Sequence, residues 1–264
     1  MIIRTTLLNL YTKLFCRKIF FKIHFFLFKI SLRGIGILNF EKSINGETFL
    51  IKHFLKNKKN PVIFDVGANI GEYSEMAKKI NPTSEIYAFE PHPVAFKKLQ
   101  ISANQYRYNN FQIALGDKND SVILYDHHEN VGSGHASLYK EVIEDLHKDI
   151  PSQFLVSMQT LDSFCTDRRI SKIDFLKIDV EGNELRVLQG AQSLISQHRI
   201  DMIVFEFNEM NLVSRVFLYD FFKILPNYNF FRLLSDGIVE IQYSSLHEIS
   251  NYQNIFALHK KYNR

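Results

Sequence analysis

Val62-Ile63-Phe64-Asp65-Val66-Gly67-Ala68-Asn69-Ile70-Gly71 is the stretch that decides the fold. A short apolar run ends on an acid, a glycine follows at once, and a second glycine precedes the polar and apolar periodicity of Glu72 to Ile80. That order reads as a buried strand, a tight turn and a helix. The same alternation continues outward. Glu85 to Phe89 reads as a second strand, and Pro93 to Asn104 as a helix opened by a proline whose missing N–H costs nothing there. Phe111 to Ala114 reads as a third strand, Ile173 to Val180 as a fourth and Ile200 to Phe207 as a fifth. Helices are expected over Asn183 to Gln197 and Val213 to Leu225. Phe230 to Leu234, Ile238 to Tyr243 and Asn254 to His259 complete the sheet. Ser121 to Tyr125 and Phe154 to Met158 are short strands flanking a polar insertion, Asp126 to Pro151. Strands alternating with helices predict an α/β fold with a mainly parallel sheet and helices on both faces.

A parallel sheet places its ligand crevice at the carboxyl ends of its strands. Asp65 stands there, and Gly67 brings bare backbone to the crevice. Gly71 allows close packing as the helix begins. A dinucleotide enzyme would place a further glycine in this turn, because a pyrophosphate needs open backbone N–H groups at a helix N-terminus. Here that glycine is missing and an acid precedes the turn, which is a poor partner for an anion. A cationic ligand with an amino-acid tail, such as S-adenosylmethionine (SAM), fits better. Glu90 closes Ile86-Tyr87-Ala88-Phe89-Glu90-Pro91, 25 residues after Asp65. An acid at the tip of the second strand accepts hydrogen bonds from ribose hydroxyls.

The third polar cluster is Asp174-Phe175-Leu176-Lys177-Ile178-Asp179-Val180-Glu181-Gly182-Asn183-Glu184. Period-two alternation puts Lys177 and Asp179 on one face, with Glu181 in phase. Charges inside an apolar strand are costly unless paired or functional. Asp179 is therefore the first candidate to orient an acceptor hydroxyl or take its proton, with Lys177 beside it and His135, in the polar insertion, as second candidate base. Asp179, Glu206 and Asn208 also offer oxygen atoms for Mg²⁺, although no spacing demands a metal.

Taken together, the strings at 65–71, 88–91 and 176–184 resemble the FkbM-type methyltransferase family. Ala114-Leu115-Gly116-Asp117, Gly134 to Leu138 and Thr160-Leu161-Asp162 add to the likeness, which spans roughly residues 46–234. The resemblance implies a class I methyltransferase (Rossmann-like) fold with a seven-stranded sheet and SAM over the first strand ends. Asp65, Gly67, Asn69 and Gly71 would then line the methionine side, Glu90 would take the ribose, and Ala114 and Asp117 would lie near the adenine. It also implies O-methylation of a sugar, polysaccharide or related small molecule. The competing readings are an NAD-dependent oxidoreductase, which the glycine pattern disfavours, and a SAM-binding protein without chemistry. A base-amine methyltransferase is disfavoured because an Asn-Pro-Pro-Tyr type motif is absent, whereas a ribose-oxygen methyltransferase stays open.

Bulk properties fit one large domain with an extension. The chain has 264 residues, 46% hydrophobic and 23% charged, with a formal net charge of +4. That balance is too mild for a dedicated nucleic-acid binder. Two distant cysteines, Cys16 and Cys165, suit a reducing cytoplasm better than a disulfide framework. The domain is expected over 46–264. Residues 1–45 form a separate arm whose first forty residues are rich in Phe, Ile and Leu, carry seven Lys and Arg, and contain no acid. Its charges interrupt every apolar run before it reaches the ~18 residues of a membrane span. The arm is expected to be helical, and either packs on the enzyme as a lid or rests on an anionic membrane surface.

Overall fold

The computed structural model describes residues 2–41, 44–129 and 132–262. Two helices, α1 (Ile2–Phe15) and α2 (Phe21–Gly34), precede a short α3 (Glu47–Leu50) that continues as a π-helical turn through Leu55. The α/β unit then runs β1 (Val62–Val66), α4 (Glu72–Ile80), β2 (Glu85–Phe89), α5 (Pro93–Tyr106) and β3 (Asn109–Phe111). It continues with β4 (Ala114–Leu115), β5 (Asp120–His127), β6 (Pro151–Gln159), α6 (Leu161–Asp167), β7 (Ile173–Ile178), α7 (Glu184–Gln189) and α8 (Gln192–Ser196). The last part is β8 (Ile200–Phe207), α9 (Met210–Ser214), α10 (Leu218–Ile224), β9 (Tyr228–Leu234), β10 (Gly237–Ile241) and β11 (Gln253–His259).

The main sheet has the order β10-β9-β11-β8-β7-β1-β2-β3. β3, β2, β1, β7 and β8 are parallel; β11 inserts antiparallel between β8 and β9. The first strand therefore sits mid-sheet, with the chain winding outward from it in both directions, which opens a crevice above its carboxyl end. The sheet has eight strands where seven were expected, because β10 folds back as a hairpin on β9.

Strand alternation feeds two cores. Ile63 packs with α3, α4 and α5 residues such as Leu50, Ala77 and Leu99, whereas Phe64 and Val66 pack with Phe164, Leu188 and Phe205 on the opposite face. Asp65 therefore points to the α4 side, as does Lys177, its in-register neighbour on β7. The third strand ends at Phe111. Ala114 and Leu115 instead join β5 and β6 in a separate three-stranded sheet. The helix expected over 183–197 is two short ones, broken at Gly190 and Ala191. A Cβ on Gly190 would stand 1.9 Å from the carbonyl oxygen of Gly116, so that crossing fixes the break. The helix expected over 213–225 also breaks, at Arg215, whose φ of 57° ends α9.

Among the described residues, the arm meets the domain near its end. Ile37 forms a β-bridge with Gln253, Leu38 N–H donates to the Tyr252 carbonyl at 2.8 Å, and Phe40 lies 4.8 Å from the Tyr252 ring. No helix among the described residues is long and apolar enough to cross a membrane.

Candidate functional site

The crevice is built by the turn after β1. Gly67 has a φ of 81°, and a Cβ on it would lie 1.7 Å from the carbonyl oxygen of Asp179. Its glycine is therefore required by the close approach of two strand ends, as well as by any ligand above them. Gly67 N–H and Ala68 N–H donate to the Phe89 carbonyl at 3.0 and 2.9 Å, which ties the turn to β2. Asn69 follows with a φ of 47°, and Glu181 on the facing strand end has a φ of 53°. Two non-glycine residues in the left-handed region beside one cavity are stored strain of the kind that clusters at ligand sites.

Two cavities flank this turn and share Gly67, Asn69 and Asp179. The first is lined by Glu90 and by apolar Phe89, Ile113, Ala114, Leu115, Leu124 and Leu138, with Ser133, Gly134 and Ala136 from the insertion over it. It combines a carboxylate with apolar walls, which suits a nucleoside. Glu90 is buried; its two oxygens accept from Asn69 N–H at 2.9 Å and His92 N–H at 2.8 Å. Burial raises its pKa to about 7; the two N–H donors pull it down, and Asp65 and Asp126 add to the rise. The insertion is moored by Asp126, which accepts from Gly132 N–H at 2.6 Å and from Ser133 Oγ at 2.5 Å, and faces buried His92 at 3.4 Å. It thus roofs the first cavity.

The second cavity is lined by Phe40, Asn45, Glu47, Asp65, Tyr73, Met76, Lys177, Asp179 and Tyr252, among others. Lys177 Nζ donates to Asp179 Oδ2 at 2.9 Å and lies 5.2 Å from the centre of the Tyr73 ring. Asp65 accepts from Ser74 Oγ at 2.7 Å, and Glu47 accepts from Asn45 Nδ2 at 2.9 Å. Burial raises the pKa of both Asp65 and Glu47, and the Lys177 ammonium opposes the rise in each. The ammonium itself is held charged: burial disfavours it, but Asp179, Asp65 and Glu47 more than offset that cost.

The proposed site residues divide as follows. Asp65, Gly67, Asn69, Glu90, Ala114, Lys177 and Asp179 line one or both cavities. Gly71 lies beneath the start of α4, where a Cβ would meet Tyr108 Oη at 2.3 Å, so its part is packing. Asp117 stands elsewhere, paired with Arg186 Nη1 at 2.7 Å along a separate groove, and makes no wall of the nucleoside slot. His135 is largely exposed, and its Nδ1 lies 3.2 Å from Glu181 Oε1, a contact that raises its pKa. In the suggested metal set, Asn208 Nδ2 donates to Glu206 and its Oδ1 accepts from Met210 N–H at 2.9 Å, so Asn208 is spent on its own turn. Among the described residues no cluster of three or more His, Cys, Asp or Glu side chains is placed to hold a metal. Sequence reading missed Asn45, Glu47, Tyr73 and Tyr252. The one available signal was an acid, Glu47, opening an otherwise apolar helical turn.

The residues present fit SAM. Buried oxygens of Asp65 (Oδ1), Asn69 (Oδ1), Tyr73 (Oη) and Glu181 (Oε2) lack a hydrogen-bond partner. Such orphans cost free energy unless a ligand meets them, and they surround the junction of the two cavities. The ammonium and ribose hydroxyls of SAM are donors of the kind these oxygens accept.

Comparison with known proteins agrees. The methyltransferase FkbM domain model matches residues 65–230, more than half of the chain. The 2-O-methyltransferase NoeI of Sinorhizobium fredii is 27% identical over 174 residues, covering 60% of this chain and 68% of that protein. The 31-O-demethyl-FK506 methyltransferase FkbM of Streptomyces tacrolimicus is 28% identical over 189 residues, 61% of this chain and 70% of the relative. The hexuronic acid methyltransferase AglP of Haloferax volcanii is 27% identical over 154 residues, 56% and 58% of the two chains. With its strand order and this match in hand, the chain belongs to the FkbM methyltransferase family and is a SAM-dependent methyltransferase.

Proposed function

We propose that the chain methylates a hydroxyl oxygen of a sugar or a related small hydroxylated acceptor, with the acceptor entering the cavity floored by Lys177 and Asp179. The observation that carries this reading is Asp179, the carboxylate shared by both cavities. Of the residues the two cavities share, Gly67, Asn69 and Asp179, it is the one carboxylate that a nucleoside on one side and an acceptor on the other would both meet. SAM supplies an electrophilic methyl on a sulfonium. Glu90 would accept from the ribose hydroxyls, and the unpartnered oxygens of Asp65 and Asn69 would take the ammonium of the amino-acid tail.

An alcohol is a weak nucleophile at neutral pH, so its proton must be received as the oxygen attacks. Asp179 Oδ2 is engaged by Lys177, and its other oxygen is available to accept from the acceptor hydroxyl. Lys177 fixes the rotamer of Asp179, and alignment of this sort is a large part of what an in-line displacement needs. Phe40 and Tyr252 stack as one wall, against which a sugar face can lie. An oxygen acceptor is supported by the relative named for 2-O-methylation, and a sugar acceptor by the one named for hexuronic acid methylation. The test is to incubate the protein with methyl-labelled SAM and a panel of soluble monosaccharides, uronic acids and polyols, then locate the label by mass spectrometry. Label on oxygen supports the reading. Label only on nitrogen or carbon, or on none of the panel while SAM is bound, rejects it.

A further inference from the structure

We propose that the N-terminal helical hairpin is an interfacial anchor that lies in the headgroup layer of an anionic lipid bilayer. Helices α1 and α2 hold each other through few side chains: Tyr11 Oη meets His24 Nδ1 at 3.2 Å, and Phe20 meets Phe15 and His24 edge to face at the turn. Almost everything else apolar on the pair faces solvent. Leu7, Leu14, Phe21, Phe25, Phe26 and Phe28 are each 48–66% exposed, and only Leu32 on α2 is buried. An apolar surface of this extent on a soluble chain marks an interaction site. It does not pack on the methyltransferase domain as a lid.

Charge identifies the occupant. Residues 1–40 carry seven Lys and Arg and no Asp or Glu. No salt bridge among the described residues involves Lys13, Arg17, Lys18, Lys22, Lys29 or Arg33. Lys29 instead lies 4.8 Å from the centre of the Phe25 ring, with its stem along apolar surface, as in snorkelling side chains. A second copy of this chain would bring an equal unpaired positive charge against the same face, so self-association is opposed. A bilayer interior is excluded as well. Each helix has 14 residues, about 21 Å of axis against a hydrocarbon core of about 30 Å, and basic residues recur along both. A cationic surface rich in Phe and Leu that is too short to span satisfies both halves of an anionic interface: apolar groups below the headgroups, ammonium and guanidinium groups among them.

The placement has a consequence for the site. Gly34 ends α2, and Phe40, six residues on, is already a wall of the acceptor cavity, pinned to Tyr252. The anchor therefore holds that cavity within a short tether of the bilayer surface.

Cys16, exposed in the turn between the helices, gives a direct probe, since Cys165 is buried with a thiol pKa pushed up to about 12. The full chain is labelled at Cys16 with an environment-sensitive fluorophore and titrated with vesicles of phosphatidylcholine, with and without phosphatidylglycerol. The expected result is a blue shift with the anionic vesicles only, weakened by salt. Each basic residue near such a surface is worth roughly fivefold in partitioning, so Lys22→Gln, Lys29→Gln and Arg33→Gln together should weaken binding on the order of 100-fold. Calorimetry with S-adenosylhomocysteine on the same variant should be unchanged, which shows that the domain is folded and separates this proposal from the enzymatic one. No shift with anionic vesicles, equal binding to neutral ones, an unaffected triple variant, or a hairpin-mediated dimer in sedimentation would each overturn it.

Discussion

With Glu90 as the proposed acceptor of the ribose hydroxyls, cofactor binding should depend on pH in a way that can be worked out in advance. Its carboxyl is buried and its pKa is raised from 4.5 to about 7, so the protein without ligand favours the protonated acid. By linkage, this group's contribution to stability is complete below pH 4.5 and is lost as pH rises through 7. A shift of that size corresponds to roughly 3 kcal/mol at the upper limit. Ribose hydroxyls donate best to the ionised form, so ligand binding must expel the proton. With a pKa of about 7, roughly a tenth of the molecules are ionised at pH 6 and roughly nine-tenths at pH 8. The dissociation constant for S-adenosylhomocysteine should therefore fall about tenfold between those values, about 1.4 kcal/mol. Calorimetry in buffers of different ionisation enthalpy measures both the constant and the proton, close to one released per ligand at pH 6. Asp65 faces the same turn with a raised pKa, so a control is needed. Glu90→Gln supplies it, with weaker and flatter binding. A wild-type constant that does not change from pH 6 to 8, or an identical slope in Glu90→Gln, would refute the reasoning.

Three other substitutions probe the floor and the turn. Lys177→Met leaves Asp179, Asp65 and Glu47 without their shared cation, and urea denaturation should show a loss of about 3–5 kcal/mol at pH 8. The loss should shrink toward pH 5, because the raised pKa values of Asp65 and Glu47 let them take up protons first; an equal loss at both pH values contradicts the charge argument. Asp179→Asn should keep cofactor affinity within about threefold yet lower turnover by at least ~100-fold, and full turnover would remove Asp179 from the chemistry. Gly67→Ala places a methyl 1.7 Å from the Asp179 carbonyl oxygen, so a destabilisation of at least ~2 kcal/mol is expected, and a wild-type melting curve would show that the turn is looser than drawn.

The parts of the site that sequence reveals are those where a local pattern and the fold impose the same residue. Gly67 must lack a side chain because Asp179 O is there, and Asp65 and Glu90 sit at strand tips that periodicity alone locates. What stayed hidden depends on crossings between distant segments. Asn45 and Glu47 reach the cavity because Ile37 is stitched to Gln253, and Tyr252 reaches it through the antiparallel return of β11. Nothing within a dozen residues of Glu47 specifies that meeting. Asp117 failed for the complementary reason. Its string follows a strand, but that strand belongs to the small sheet, so the acid turns outward to Arg186.

The charge layout also bears on turnover. Around the junction of the cavities stand Glu47, Asp65, Glu90 and Asp179 with one interior cation, Lys177. A fully ionised set would bind a sulfonium strongly and would then resist the reaction, since methyl transfer removes the positive charge from sulfur. Lys177 tempers that field: its ammonium donates to Asp179 and opposes the rise in pKa that burial causes at Asp65 and Glu47. The ammonium that engages Asp179 therefore also weakens the hold of the surrounding acids on a reactant in its charged ground state.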